Sequence, residues 1–376
     1  MGERMRVVVA GLGAWGASTC WALARRGVDV IGIDPLRPPH DRGSHTGRTR
    51  LARRSAHEGA GYTAITARAF ELWDTAERDT GRDILERTGA LLLDQPDGPL
   101  LAPSRAVLEQ GGWDYELLDG AEVAHRHPGV RLQPGEAALY EPGASVLHVD
   151  QAMRALHEQA AASGAELRTG CGLLGWQSLP GGVRARTTSG DIDAAALVLA
   201  VGHEAPALLG SAWPLEVERQ VLATFELPRS LRHLPALFAV DPELGERSGF
   251  YGCPEGPDHG EYKVALHHGG LTGPPDTLPR QVLPEDWKQI LEVVRRRVPA
   301  LADAPVDAQA CTYTNTPDHD WLLDVHPDDA RVVVGTGDSG RGFRYAPAVG
   351  ELLADLAQGR SADHPAFLRK ERPRVA

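Results

Sequence analysis

The sequence predicts an α/β chain of two domains, α+β in their combination: one is built on a largely parallel sheet, the other on an antiparallel sheet inserted into it. Three observations carry this. The first 34 residues run strand, helix, strand. Short, continuous, β-branched runs, the mark of strands buried on both faces, recur at 195–201 and 331–336. Between them, 220–227 and 262–266 read as antiparallel strands. At 376 residues the chain exceeds what one hydrophobic core usually supports. The parallel-sheet domain is expected to be discontinuous, over 1–85, 148–215 and 310–376, with the second domain over 86–147 and 216–309.

In chain order, residues 6–10 form an apolar strand, 17–26 a helix ended by Gly27, and 28–34 a second strand. Residues 58–80 read as a helix anchored by Phe70, Leu72 and Trp73, and 89–94 as a strand. The stretch 101–127 mixes short helical and loop signals. Residues 150–164 read as a helix that Asp150 caps and Gly164 stops. Strands follow at 165–169, 183–188 and 195–201. Pro284 opens a helix that Pro299 stops, and 345–358 is a last helix ended by Gly359. No internal repeat or low-complexity segment is present.

Composition narrows the function. Lys plus Arg is 39 and Asp plus Glu 51, a formal charge of −12, so the surface repels phosphate backbones and nucleic acid is not the expected partner. No apolar run is long enough to span a bilayer, and the first residues lead into a strand rather than a secretion signal. The four cysteines, Cys20, Cys171, Cys253 and Cys311, are far apart with no CxxC spacing, which suits a reducing cytoplasm and argues against a metal site.

Gly11, Gly13 and Gly16 form a GxGxxG between the first strand and helix. Gly11 allows the tight turn, Gly13 lets a pyrophosphate approach the backbone, and Gly16 permits close helix–strand packing at a helix N-terminus that favours phosphate. Asp34 ends the second strand, placed for a ribose hydroxyl pair. This fingerprint implies a dinucleotide but does not choose between NAD and FAD.

Two further stretches choose. One is Gly43-Ser44-His45-Thr46-Gly47-Arg48-Thr49-Arg50-Leu51-Ala52-Arg53. The other is Cys311-Thr312-Tyr313-Thr314-Asn315-Thr316-Pro317-Asp318, with Gly337-Asp338-Ser339-Gly340-Arg341-Gly342-Phe343-Arg344 after it. With the fingerprint, over nearly the whole chain, these resemble the monomeric sarcosine oxidase and N-methyltryptophan oxidase family. The resemblance implies an FAD-dependent amine oxidase: a carboxylate-bearing secondary amine, N-methyl amino acid or cyclic imino acid is oxidised to the imine, and dioxygen is reduced to hydrogen peroxide. A biosynthetic flavoprotein that forms an imine or aromatises a ring, and an amine dehydrogenase using another acceptor, are the alternatives. The resemblance further implies FAD held through its 8α-methyl group on the sulfur of Cys311. Besides Gly11, Gly13, Gly16 and Asp34, the cofactor residues are then Ser44, Thr49, Cys311, Gly340, Gly342 and Phe343. Lys263, Arg50, His267 and Tyr313 fall at catalytic positions, Lys263 at that of a lysine beside flavin N5 that promotes reaction with oxygen. Arg53, Arg344 and Tyr251 fall at substrate positions, the two arginines gripping the carboxylate. Glu58 lies near the pocket without an assigned step. The helix after Tyr345 is expected to aim its positive N-terminal end at the flavin. A cytoplasmic monomer is expected.

Some positions depart from the family pattern. Arg341 and Asp338 stand among the glycines where an imidazole and an aromatic ring are expected, Cys253 replaces an aromatic residue, and an insertion occupies 255–260. They border the expected pocket and point away from sarcosine itself.

Overall fold

The computed structural model describes residues 5–210, 213–241, 249–301, 304–360 and 365–369. Its first sheet has six strands, in the order Leu322–His326, Asp329–Thr336, Ala196–Leu199, Arg6–Ala10, Asp29–Asp34 and Glu166–Thr169. All neighbours are parallel except the first pair. The apolar runs read from the sequence are the central strands: Val7, Val8 and Val9 are wholly buried, as are Val332, Val333 and Val334. Both faces are covered. The helices Ala14–Arg25 and Ala346–Ala357 share the core with alternate strand residues such as Val7, Val9 and Val333. A three-stranded sheet, Leu173–Leu179, Gly182–Thr187 and Ile192–Ala194, packs against Val8, Val332 and Val334 on the other face.

The second large sheet has nine strands. Along its path lie Leu271–Thr272, Glu216–Glu226, Glu261–His267, Gly249–Glu255, Ala236–Val240, Ala90–Asp94, Ala137–Glu141 and Glu116–Leu118; Asp307–Asn315 pairs with Glu216–Glu226 off that path. One pair, Ala90–Asp94 with Ala236–Val240, is parallel. The strand carrying Cys311 thus belongs to this second sheet, with Cys311 opposite Gln220, and the chain passes directly from it to the first sheet at Leu322.

Three local expectations are corrected. The helix expected from residue 58 begins at Thr63, after a single turn at Ala60–Tyr62. Gly59, at φ +119°, holds a backbone conformation no helix contains. Asp150 does not cap the helix Val149–Ala162. It sits in the first turn and pairs with Arg154 one turn on at 2.7 Å, while His148 takes the capping position. Pro284 opens only a 3-10 turn, and the α-helix proper is Lys288–Arg297. The mixed stretch 101–127 resolves into helices Leu101–Gly111 and Gly120–Arg126, the second opened by a capping box between Asp119 and Glu122.

Candidate active site

One cavity of about 1740 Å³ runs from the Gly11 turn to the arginines of the C-terminal loop. That exceeds the range of an ordinary small-ligand pocket and has room for a dinucleotide and a small substrate together.

At the first end the wall is backbone. Gly11 has φ +90°, and a Cβ there would lie 2.3 Å from the Ala200 carbonyl oxygen. A Cβ on Gly16 would lie 1.7 Å from the Gly11 carbonyl oxygen. Gly13 differs: a Cβ there would meet only the His45 ring, at 3.9 Å, so its bareness faces open space. It is also the N-cap of helix Ala14–Arg25 with no side chain capping it, which leaves N–H donors directed at the cavity. Asp34 accepts 2.8 Å bonds from the backbone N–H groups of Leu12 and Leu36, so its carboxylate is fixed where it lines the cavity. The Ser44 hydroxyl lines the same cavity, buried with no partner. A bare glycine, an uncapped helix end, a fixed carboxylate and an orphaned hydroxyl fit a dinucleotide such as FAD.

In the middle, Cys311, Arg50, Phe343, Gly340, Gly342 and Asp338 line the cavity. Burial pushes the Cys311 thiol up to about 11, against the pull of Arg50 and Lys263. Gly340 and Gly342 let the loop pass close over side chains: a Cβ would fall 2.4 Å from the Tyr313 ring and 2.7 Å from the Trp15 ring respectively. Arg50 is held by the carbonyl oxygens of Ser44, Thr46 and Thr49 and lies over the Phe343 ring. Burial pushes the Asp338 carboxyl up to about 6.

The far end is made of side chains. Arg53, Arg341 and Arg344 line it with Glu58, His57, Phe238, Tyr251, His267 and Tyr313. Glu58 is paired with Arg344 at 3.2 Å and with Arg341 at 3.4 Å. Burial would raise its carboxyl, yet His57, Arg344, Arg341 and Arg53 hold it well below the usual range. Arg53, 1% exposed, has no carboxylate within salt-bridge distance among the described residues. It donates to His57 Nδ1 at 2.7 Å, and its Nε has no partner. Burial first, then the Arg344 charge, pulls its guanidinium down to about 10. Burial holds His57 at about 3 and His267 well below its ordinary value, so both imidazoles are neutral in this wall.

The structure brings together on this cavity every site residue read from the sequence except Gly16, Thr49 and Lys263. Gly16 acts one layer behind, in the helix–strand contact. Thr49 and Lys263 bond each other: the Lys263 ammonium donates to the Thr49 carbonyl and, at 2.8 Å, to its hydroxyl, with Glu255 at 3.3 Å. Both Lys263 and Glu255 are buried. Arg344 is on the cavity but already engaged by Glu58 and the Tyr345 hydroxyl. Sequence reasoning missed His57, Phe238 and Glu255. His57 adjoins Glu58 in the chain, which is a usable signal. Phe238 sits in the strand Ala236–Val240, which reads as plain core, and Glu255, in the stretch read as an insertion, ends the strand Gly249–Glu255.

A doubly covered, mostly parallel sheet whose first turn opens on a dinucleotide-sized cavity, closed at its far end by a second sheet, is the architecture of a nucleotide-cofactor-binding protein. The chain belongs to the FAD dependent oxidoreductase family, whose model matches residues 6–356. It is 33% identical to the monomeric sarcosine oxidase of Streptomyces avermitilis over 368 residues, covering 96% of this chain and 95% of that one. It is 29% identical to the N-methyl-L-tryptophan oxidase of Citrobacter koseri, covering 96% of each. Among solved structures, NikD, described as an unusual amino acid oxidase essential for nikkomycin biosynthesis, superposes with a TM-score of 0.82 at 24% identity over 98% of this chain and 97% of that one. The expected α/β fold and FAD-dependent amine oxidoreductase class therefore stand. Among the described residues no helix is long and apolar enough to cross a membrane.

Proposed function

We propose that this chain oxidises a carboxylate-bearing secondary amine, an N-methyl amino acid or a cyclic imino acid, to its imine, with dioxygen as final acceptor. FAD, when bound, would supply the redox chemistry, accepting the two electrons of the amine's oxidation and giving them to dioxygen. Gly11, Gly13, Gly16 and Asp34 hold its nucleotide half. Ser44, Arg50, Gly340, Gly342 and Phe343 would hold the ring end, with Thr49 behind them bonded to Lys263, and Cys311 would be joined to it through sulfur. The observation that carries the reading is Arg53, a buried guanidinium lacking a carboxylate partner in a wall of aromatic rings. A substrate carboxylate supplies that partner, with Arg344 reinforcing it. The excess positive charge favours the unprotonated amine, and neither neutral imidazole adds to that charge. Tyr251, Tyr313, His267 and Phe238 pack the substrate and exclude water. The partition into a cofactor domain (1–85, 148–215, 310–376) and a substrate domain (86–147, 216–309) belongs to this reading. So does a cytoplasmic monomer, supported by four free, buried cysteines and by the word monomeric in a relative's name.

One observation favours a second reading, an amine dehydrogenase with another electron acceptor. The resemblance gives Lys263 the role of a cation awaiting oxygen, yet Glu255 already sits 3.3 Å from its ammonium. Anaerobic bleaching of the flavin against a panel of N-methyl and cyclic amino acids tests the substrate class. Reoxidation of the same samples in air, with peroxide measured, separates the two acceptors. If no carboxylated amine bleaches the flavin, the proposal is wrong.

A further inference from the structure

His57 is a cavity residue that the reaction above leaves unused, and its hydrogen bonding fixes its chemical state. Arg53 Nη2 lies 2.7 Å from His57 Nδ1. A guanidinium only donates, so Nδ1 is the acceptor and carries no proton. Burial keeps the ring neutral down to a pH of about 3, so its one proton is on Nε2. The tautomer is therefore set by Arg53, and Nε2–H is a donor at every working pH. No described residue accepts from it, and the ring lines the cavity. The ring is held in place by Phe238, whose centroid is 5.3 Å away and which also packs against Arg53 and His267.

The surroundings are rich in donors and poor in acceptors. The Nε groups of Arg53, Arg341 and Arg344 are buried without partners. The nearest carboxylate, Glu58, is shared between Arg344 and Arg341, and Arg341 also has Asp320 at 3.6 Å. The two nitrogens of an imidazole face opposite edges of the ring, so Nε2–H points away from the Arg53 guanidinium. The His57 side chain is 22% exposed, on the cavity; a carboxylate seated on Arg53 leaves Nε2–H unmatched, and a donor that a bound substrate desolvates without offering it an acceptor is costly. We propose that His57 is a specificity-determining donor for a second, oxygen-bearing group of the substrate, so that the preferred substrate is a secondary amino acid with a side-chain carboxylate. This rests on the proposed amine-oxidase reading for the identity of the substrate, but not for the subsite itself.

The test compares wild type, His57→Phe and His57→Gln holoenzyme in two assays. In turnover, N-methyl-L-aspartate and N-methyl-L-glutamate are set against N-methyl-L-alanine. In equilibrium binding by calorimetry, succinate and glutarate are set against propionate and butyrate. A hydrogen bond to a carboxylate corresponds to a factor of about ten to a hundred. Wild type should prefer the dicarboxylates by that factor in both assays. His57→Phe, which keeps the ring against Phe238, should erase the preference, and His57→Gln, with a carbonyl for Arg53 and an amide N–H for the substrate, should restore part of it. Equal losses for mono- and dicarboxylates in His57→Phe would mean that His57 only props Arg53, and would overturn the proposal, as would a wild type without the preference. A His57-dependent preference for succinate in a protein that oxidises no amine would uphold the subsite and defeat the amine-oxidase reading instead.

Discussion

The two ends of the cavity are built from different material. At the proposed cofactor end, Gly11, Gly13 and Gly16 lie within six residues, and at Gly11 and Gly16 what matters is the absence of side chains where backbone meets backbone. At the proposed substrate end, Arg53 with Glu58, Phe238, His267 and Arg344 come from four separate stretches of chain, and what matters is which charged group faces which. The first is a steric device and tolerates almost no change. The second is an electrostatic one, where, on the proposed reading, a change is expected to alter which substrate fits.

The largest expected effect tests the steric half. A Cβ on Gly16 would sit 1.7 Å from the Gly11 carbonyl oxygen, with the Ala200 Cβ at 3.4 Å behind it. Backbone cannot yield as a side-chain end can, so Gly16→Ala should separate helix Ala14–Arg25 from the first strand. The expected result is protein with no flavin absorbance, whatever cofactor is added, and a lowered thermal midpoint. Retention of stoichiometric flavin would show that the turn has slack, and the contrast would fail.

Next comes Arg53. Leaving an anion under-paired in a buried site costs roughly 2–5 kcal/mol, so Arg53→Ala should lower kcat/KM for carboxylated amines by that equivalent while flavin content and melting stay near wild type. Arg344→Gln sharpens the point. Arg344 is the nearer counter-ion of buried Glu58, so its loss should show first as a lower melting temperature and only second as a raised KM. If Arg344→Gln damages KM more than Arg53→Ala does, Glu58 swings away when substrate binds and the carboxylate site is centred on Arg344.

The same contrast explains how much could be read from sequence. Backbone-made structure is written locally: GxGxxG, the valine runs and Asp34 announce the first sheet because each constraint acts on neighbours in the chain. The local errors are also errors about backbone. Gly59 stops a helix that the apolar spacing of Phe70, Leu72 and Trp73 would extend, and a helix start attributed to Asp150 belongs to His148. The side-chain-made site was legible in its parts through family resemblance but not in its pairings. Nothing local links Arg344 to Glu58, which lies 286 residues away in the chain, or Lys263 to Glu255 across a hairpin whose register sets Cys253 opposite Lys263. Phe238 reads as core because its strand is apolar throughout. Only the nine-stranded sheet turns it toward His57 and His267.

A third, smaller effect lies where the two ends join. Burial raises the Asp338 carboxyl to about 6 from an ordinary value of 3.8. A raised carboxyl holds its proton in the folded state after the unfolded chain has lost it. Its contribution to stability is thus most favourable below about pH 4, falls as pH rises to about 6, and stays low beyond. The full swing is at most about 3 kcal/mol. Melting curves between pH 4 and pH 8 should show Asp338→Asn gaining on wild type as pH rises, with the gain levelling above about pH 6. A constant difference across that range would mean that Asp338 titrates normally and is better solvated than its position in the cavity wall implies.

The smallest effect on the fold is expected at Gly13, and it divides the cofactor end itself. Gly16 is bare because the protein needs the space. Gly13, with only His45 at 3.9 Å and an extended, negative-φ backbone open to any residue, has no such need. A methyl group there clashes with nothing in the chain, and replacing glycine by alanine at a helix N-cap costs less than about 1 kcal/mol. Gly13→Ala apoprotein should therefore melt close to wild-type apoprotein. The same methyl projects toward the uncapped helix end where a diphosphate would lie, and overfilling such a contact costs about 1–3 kcal/mol, or on the order of ten- to a hundredfold in FAD affinity. Titrating apoprotein with FAD in a Cys311→Ser background, where no covalent link can form, and following flavin fluorescence measures this directly. Lost affinity with unchanged apoprotein melting would show that Gly13 is kept for the ligand and Gly16 for the protein. Unchanged affinity would mean that the diphosphate passes elsewhere, and would remove Gly13 from the set of residues that hold the cofactor.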